Sequence, residues 1–124
     1  VRATLAAARA RFPGRRLVAY LQPHTFSRTT ALLDDWATAC ADADLLLVGD
    51  VYASREQGDA PGLARALAAR IAATGVEARH AGDLDTATAA LRDLVRPGDV
   101  VLTLGAGDSD RVGDALLDGL RGRP

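Results

Sequence analysis

The alternation of short apolar runs with helix-length stretches constrains this 124-residue sequence most. The runs are Arg16–Leu21 (RLVAYL), Leu45–Val48 (LLLV), Val76–His80 and Asp99–Leu104 (DVVLTL). No two of them are separated by a hairpin-length loop. Antiparallel neighbours are joined by short turns, whereas parallel neighbours need a crossover long enough to hold a helix. Three of the runs are almost wholly apolar, as expected of strands covered on both faces. The third mixes in charge and is placed nearer a sheet edge.

The intervening stretches read as helices. Val1 to Arg11 is rich in alanine and arginine, with Leu5 and Ala8 on one face, and Pro13-Gly14 stops it. Thr29 to Ala41 carries a 3-4 apolar stripe of Leu32, Leu33, Trp36 and Cys40. Gly62 to Thr74 is capped by Gly75, and Leu84 to Val95 ends at Arg96-Pro97-Gly98. Ser109 to Leu120 is the last helix, and Arg121 to Pro124 a tail. The order αβαβαβαβα predicts an α/β, Rossmann-like, three-layer open sheet. It is mainly parallel, with about four strands in the order 3-2-1-4 and helices on both faces. One domain, residues 1–124, accounts for the length.

Composition removes several function classes. All 15 basic residues are arginine, so the chain supplies no P-loop lysine for nucleotide phosphates and no Schiff-base amine. The formal net charge of −1 gives no basic field for nucleic acid or an acidic membrane surface. No apolar run reaches membrane length, and one cysteine rules out an internal disulfide and a cysteine-based metal cluster. Cys40, the single cysteine, sits among small apolar residues and reads as a buried hydrophobe. There is no methionine, even at position 1, so the sequence is expected to be a segment of a longer protein.

In open parallel sheets, ligands bind beyond the C-terminal strand ends, where the strand order reverses. The order 3-2-1-4 brings the loop after strand 1 (Gln22 to Arg28) beside the turn after strand 4 (Gly105-Ala106-Gly107-Asp108). The first loop offers His24, Ser27 and Arg28. Arg28 has a planar fork suited to a carboxylate or phosphate, and His24 can donate to an anion or exchange a proton near neutral pH. A plainer account makes Ser27 or Thr25 a helix cap and His24 a turn residue. The glycines of the second turn let backbone N–H groups approach a ligand at a helix start, or simply make a tight strand-to-helix turn. The loop after strand 2 holds Asp50, Tyr52, Arg55 and Glu56, either a functional loop or a solvated ion pair. His80, on the edge strand, is expected to be structural or exposed.

Taken together, strand-QPHTFSRT-helix, strand-DVYASREQ and strand-GAGD-helix resemble the C-terminal domain of the Mur ligase family, in its alanine-adding branch. The resemblance covers nearly the whole chain, and the loop after strand 1 is its most specific part. It implies one domain of a three-domain cytoplasmic enzyme of peptidoglycan synthesis, with a UDP-sugar domain and a central ATPase domain elsewhere. The implied reaction joins L-alanine to UDP-N-acetylmuramate through an acyl phosphate, using ATP and Mg²⁺ held mainly by the central domain. The implied partners are these substrates and the other domains of the same chain.

By the same resemblance Arg28 holds the alanine carboxylate and His24 and Ser27 line its pocket. Thr25 stands where some members have a second arginine, and Arg55 is a substitute for it. Tyr52 faces the interdomain cleft, and Gly105, Ala106, Gly107 and Asp108 approach the nucleotide. No catalytic residue is assigned within the chain, and the isolated segment is expected to be inactive. The family's Asp-Asp-Tyr-x-His-x-Pro-x-Glu segment precedes the first helix and is absent from this sequence. Two alternatives accompany this reading: a related Mur-type peptide ligase, and a non-catalytic α/β module binding a nucleotide or phosphosugar.

Overall fold

The computed structural model describes residues 1–23, 33–50, 60–105 and 109–121. The elements in chain order are α1 (Arg2–Arg11), β1 (Leu17–Gln22), α2 (Leu33–Ala39), β2 (Leu45–Gly49) and α3 (Ala60–Ala72). There follow β3 (Glu77–Gly82), α4 (Leu84–Leu94), β4 (Val100–Gly105) and α5 (Ser109–Arg121). The four strands form one sheet in the order β3-β2-β1-β4, and every neighbouring pair is parallel. This is the architecture expected from the crossover pattern.

Burial follows position in the sheet. All of β1 and β2 are buried, because both neighbours and both helical layers cover them. The edge strand β3 alternates exposed and part-buried residues, which is why its sequence tolerates Glu77, Arg79 and His80. Side chains alternate across the sheet. Ala19, Leu21, Leu46 and Val48 pack with Leu5 of α1, Ala37 of α2 and Leu67 and Ile71 of α3. Val18, Tyr20, Leu45 and Leu47 pack on the other side with Ala87 and Leu91 of α4 and Val112 and Leu116 of α5. Burying a Leu-sized side chain contributes about 1.5–3 kcal/mol before entropy is counted, so these two layers hold the domain together.

The helix ends follow local chemistry. The Asp83 carboxylate caps α4 by accepting from the Thr86 N–H at 2.8 Å, and that bond holds its pKa below the usual value. Gly75 ends the turn after α3 at φ +103, a left-handed conformation natural to glycine.

The elements differ from the sequence expectation mainly at their ends. The sequence pattern puts Gln22 and Gly105 in loops, yet each is the last residue of a strand. They pair with each other, so the ladder runs one residue further than hydrophobicity alone indicates. Arg16 and Asp99 lie just outside the strands. No helix among the described residues is long and apolar enough to cross a membrane.

Candidate functional site

All four strands point the same way, so their C-terminal ends form one rim. β1 and β4 are in register from Leu17↔Val100 to Gln22↔Gly105. The segments that follow, headed by QPHTFSR and GAGD, therefore leave from adjacent positions at one end of the sheet. His24, Ser27, Arg28, Tyr52, Arg55, Ala106, Gly107 and Asp108 lie outside the described residues. Of the expected site residues, Gly105 is described.

Gly105 is required where it stands. Its φ is +129, and a Cβ there would run into the carbonyl oxygen of Gln22, with the Gln22 carbonyl carbon at 3.1 Å and its nitrogen at 3.2 Å. Only glycine lets the two strand ends approach so closely. Ser109 follows at the start of the 13-residue α5, buried, with its hydroxyl 3.4 Å from the Gly105 carbonyl. The first turn of a helix presents backbone N–H groups and a positive dipole end, a setting that favours anions.

Gln22 is 7% exposed, and its Oε1 is buried without a hydrogen-bond partner. By alternation its side chain lies on the Val18–Tyr20 face, the side covered by α4 and α5. The signal available in the sequence was a polar residue directly continuing an apolar strand.

The β2–β3 side of the rim is clasped. The Asp50 N–H donates to the Gly82 carbonyl at 2.8 Å, and His80 Nε2 lies 2.6 Å from Asp50 Oδ1. The β2–β3 register shifts at Val48/Gly49, which aligns Gly49 with Gly82. His80 is thus structural, as expected, but tied to the residue that opens the segment after β2. Gly49 leaves room for the Tyr20 ring, since a Cβ there would sit 2.7 Å from Cζ. Burial, with the charges of Asp50 and Asp83 behind it, pushes the Tyr20 phenol up to about 12, so it stays neutral at working pH. Cys40 is fully buried and burial pushes its thiol up to about 11, which makes it an inert core group.

Comparison with known proteins agrees with this geometry. Residues 1–107 match the family described as Mur ligase, glutamate ligase domain. The UDP-N-acetylmuramate–L-alanine ligase of Roseiflexus castenholzii is 60% identical over 117 residues, covering 94% of this chain and 24% of that protein. The ligase of the same name from Chloroflexus aggregans is 53% identical over 117 residues, covering 94% and 25%. The chain thus spans about a quarter of the length of the curated relatives it matches. Among solved structures, a murein peptide ligase from Psychrobacter arcticus superposes with a TM-score of 0.76 at 18% identity, over 99% of this chain and 25% of that one. A domain of a Haemophilus ducreyi protein described as a putative UDP-N-acetylmuramate:L-alanyl-gamma-D-glutamyl-medo-diaminopimelate ligase gives 0.64 at 21% identity, over 96% and 80%. At such identities these two likenesses speak for the fold alone. With a family match over most of its length and this strand arrangement, the chain belongs to the Mur ligase family.

Proposed function

We propose that this chain is the amino-acid-presenting domain of an ATP-dependent ligase that joins L-alanine to UDP-N-acetylmuramate in peptidoglycan synthesis. The observation that carries this reading is the 60% identity, over 117 residues, to a ligase of that name. The adjacency of the β1 and β4 ends supports it, because the QPHTFSR and GAGD segments start from paired residues, Gln22 and Gly105.

The chemistry divides between domains. The sugar carboxylate is activated as an acyl phosphate at the expense of ATP; the alanine amine attacks its carbonyl carbon, and phosphate leaves. In this chain Arg28 grips the alanine carboxylate with two parallel hydrogen bonds, and His24 and Ser27 line the pocket. Arg55 supplies the second positive charge that Thr25 does not, and Tyr52 faces the cleft between domains. Gly105 to Asp108 bring backbone donors to the nucleotide at the start of α5.

The phosphate grip and the metal belong elsewhere in the longer protein. The sequence has no lysine to grip nucleotide phosphates. Magnesium bound by the other domains neutralises phosphate charge. Nucleotide substrates place the reaction in the cytoplasm. The other domains of the same chain are its partners, with no nucleic acid and no membrane among them.

The test is an assay of the full-length parent protein for phosphate release dependent on ATP, UDP-N-acetylmuramate and L-alanine. Arg28→Ala is expected to raise the KM for L-alanine at least tenfold, about the effect of losing one charge-assisted contact. Release driven by a peptide rather than alanine would instead identify a peptide ligase, and no release with any acceptor would leave a binding module. The isolated chain is expected to show no ligase activity and to bind ATP–magnesium more weakly than about 10 μM by calorimetry.

A further inference from the structure

The end of β1 holds a polar atom that the fold does not use. Gln22 is nine-tenths buried and its Oε1 has no partner, although buried acceptors are nearly always paired. A strand end inside an apolar face would be more stable with an apolar side chain of the same shape. Three observations locate the atom. Gln22 pairs with Gly105 at the last rung of the β1–β4 ladder. By alternation along β1 its side chain falls on the Val18–Tyr20 face, which packs against α4 and α5. Ser109, the first residue of α5, is buried beside the same strand end. The unpaired acceptor therefore belongs to the strand end that pairs with Gly105, whose carbonyl Ser109 of α5 reaches at 3.4 Å, and a helix start nearby suits a ligand carrying both an N–H donor and an anionic group.

We infer that Gln22 is a ligand-binding residue whose Oε1 accepts a hydrogen bond from an amino group of a molecule held between the β1 and β4 ends. This rests on the reading of the chain as part of an amino-acid ligase, which supplies two molecules of that chemistry. L-alanine has an amino group beside a carboxylate, and ATP has an adenine amino group and phosphates.

The test uses full-length protein with Gln22→Met and Gln22→Glu. Methionine matches the length of glutamine and removes the orphaned acceptor, so the unfolding midpoint of this domain should rise. The KM for one substrate should rise about tenfold, the value of one lost hydrogen bond. A rise confined to L-alanine assigns the bond to its amine, and one confined to ATP assigns it to adenine. Gln22→Glu restores an acceptor and should recover part of the lost affinity. A raised midpoint with both KM values unchanged would overturn the inference, because the acceptor would then be idle. A lowered midpoint in Gln22→Met and Gln22→Glu alike would also overturn it, by showing that the amide serves the fold. If the wild-type protein couples no L-alanine, the ligase reading fails first, and that result is separate from either outcome.

Discussion

At the N-terminal end of the sheet, charged groups are spent on holding strands together; at the C-terminal end, glycines and an unused acceptor take their place. Arg16 donates to both oxygens of Asp99, at 3.1 Å and 3.2 Å from Nε and 2.6 Å from Nη2, and to the Leu94 carbonyl at 2.6 Å. Asp99 also accepts from the Arg96 N–H at 2.8 Å. Across the same rim, Asp44 accepts from the Leu17 N–H at 2.7 Å and from Arg9 at 3.0 Å. The opposite rim has Gly49, Gly82 and Gly105 at three strand ends, the Asp50–His80 clasp and the orphaned Gln22. One rim satisfies its polar groups internally and is closed chemistry. The other holds the unpartnered Gln22 Oε1 at the place where α/β sheets bind ligands.

Substitutions at each rim probe this contrast. The largest effect is expected at Gly105. A Cβ there strikes the Gln22 carbonyl and must adopt φ +129, so Gly105→Ala should cost about 3 kcal/mol or more in chemical denaturation and part the β1–β4 ends. A neutral result would mean the β1 and β4 ends are held more loosely than the Gln22–Gly105 contact implies.

Next comes Asp99→Ala, which strands a part-buried guanidinium and should cost about 2–3 kcal/mol. Asp99 has a pH signature as well. The hydrogen bond from Arg16 holds its folded-state pKa below the ordinary carboxylate value. Its contribution is therefore fully present above the unfolded-state pKa of about 4 and is lost as pH falls through the lower folded value. Asp99→Asn should flatten that part of the acid-unfolding curve; an unchanged acid limb would show that the pair does not couple to folding.

The clasp on the functional rim should matter less. Asp50→Asn weakens one part-exposed contact and should cost about 1 kcal/mol or less, read from the melting curve. Smallest of all is Glu77→Gln, which breaks the exposed pair with Arg79 on the edge strand and should shift stability by under about 0.5 kcal/mol. A large loss there would show that the edge strand leans on charge more than its exposure indicates.

The sequence carried the topology because crossover lengths and apolar runs are local signals. The three helix-length connections between strands forced parallel pairing, and the polar third run marked the edge. What it hid were relations between distant residues. Nothing near Arg16 announces that its partner is Asp99, since the two meet only when β1 and β4 align. Gln22 looked like the first loop residue because it is polar, while the ladder extends through it to Gly105. For His80 the sequence leaves structural or exposed open, because Asp50 is 30 positions away and meets it only across the β2–β3 pair. The resemblance points to Arg28, His24, Ser27, Tyr52 and Arg55, positions outside the described residues; what the fold adds is that β1, β2 and β4 end at one rim.

Hydrogen–deuterium exchange on the full-length protein, with and without ATP–magnesium and L-alanine, tests that placement most directly. Substrates are expected to slow exchange at the end of β1 around Gln22 and at the end of β4 and start of α5 around Gly105 and Ser109, while peptides containing Arg16, Asp44 and Asp99 stay unchanged. Protection confined to the Arg16–Asp99 end, or none in this domain at saturating substrate, would contradict the account.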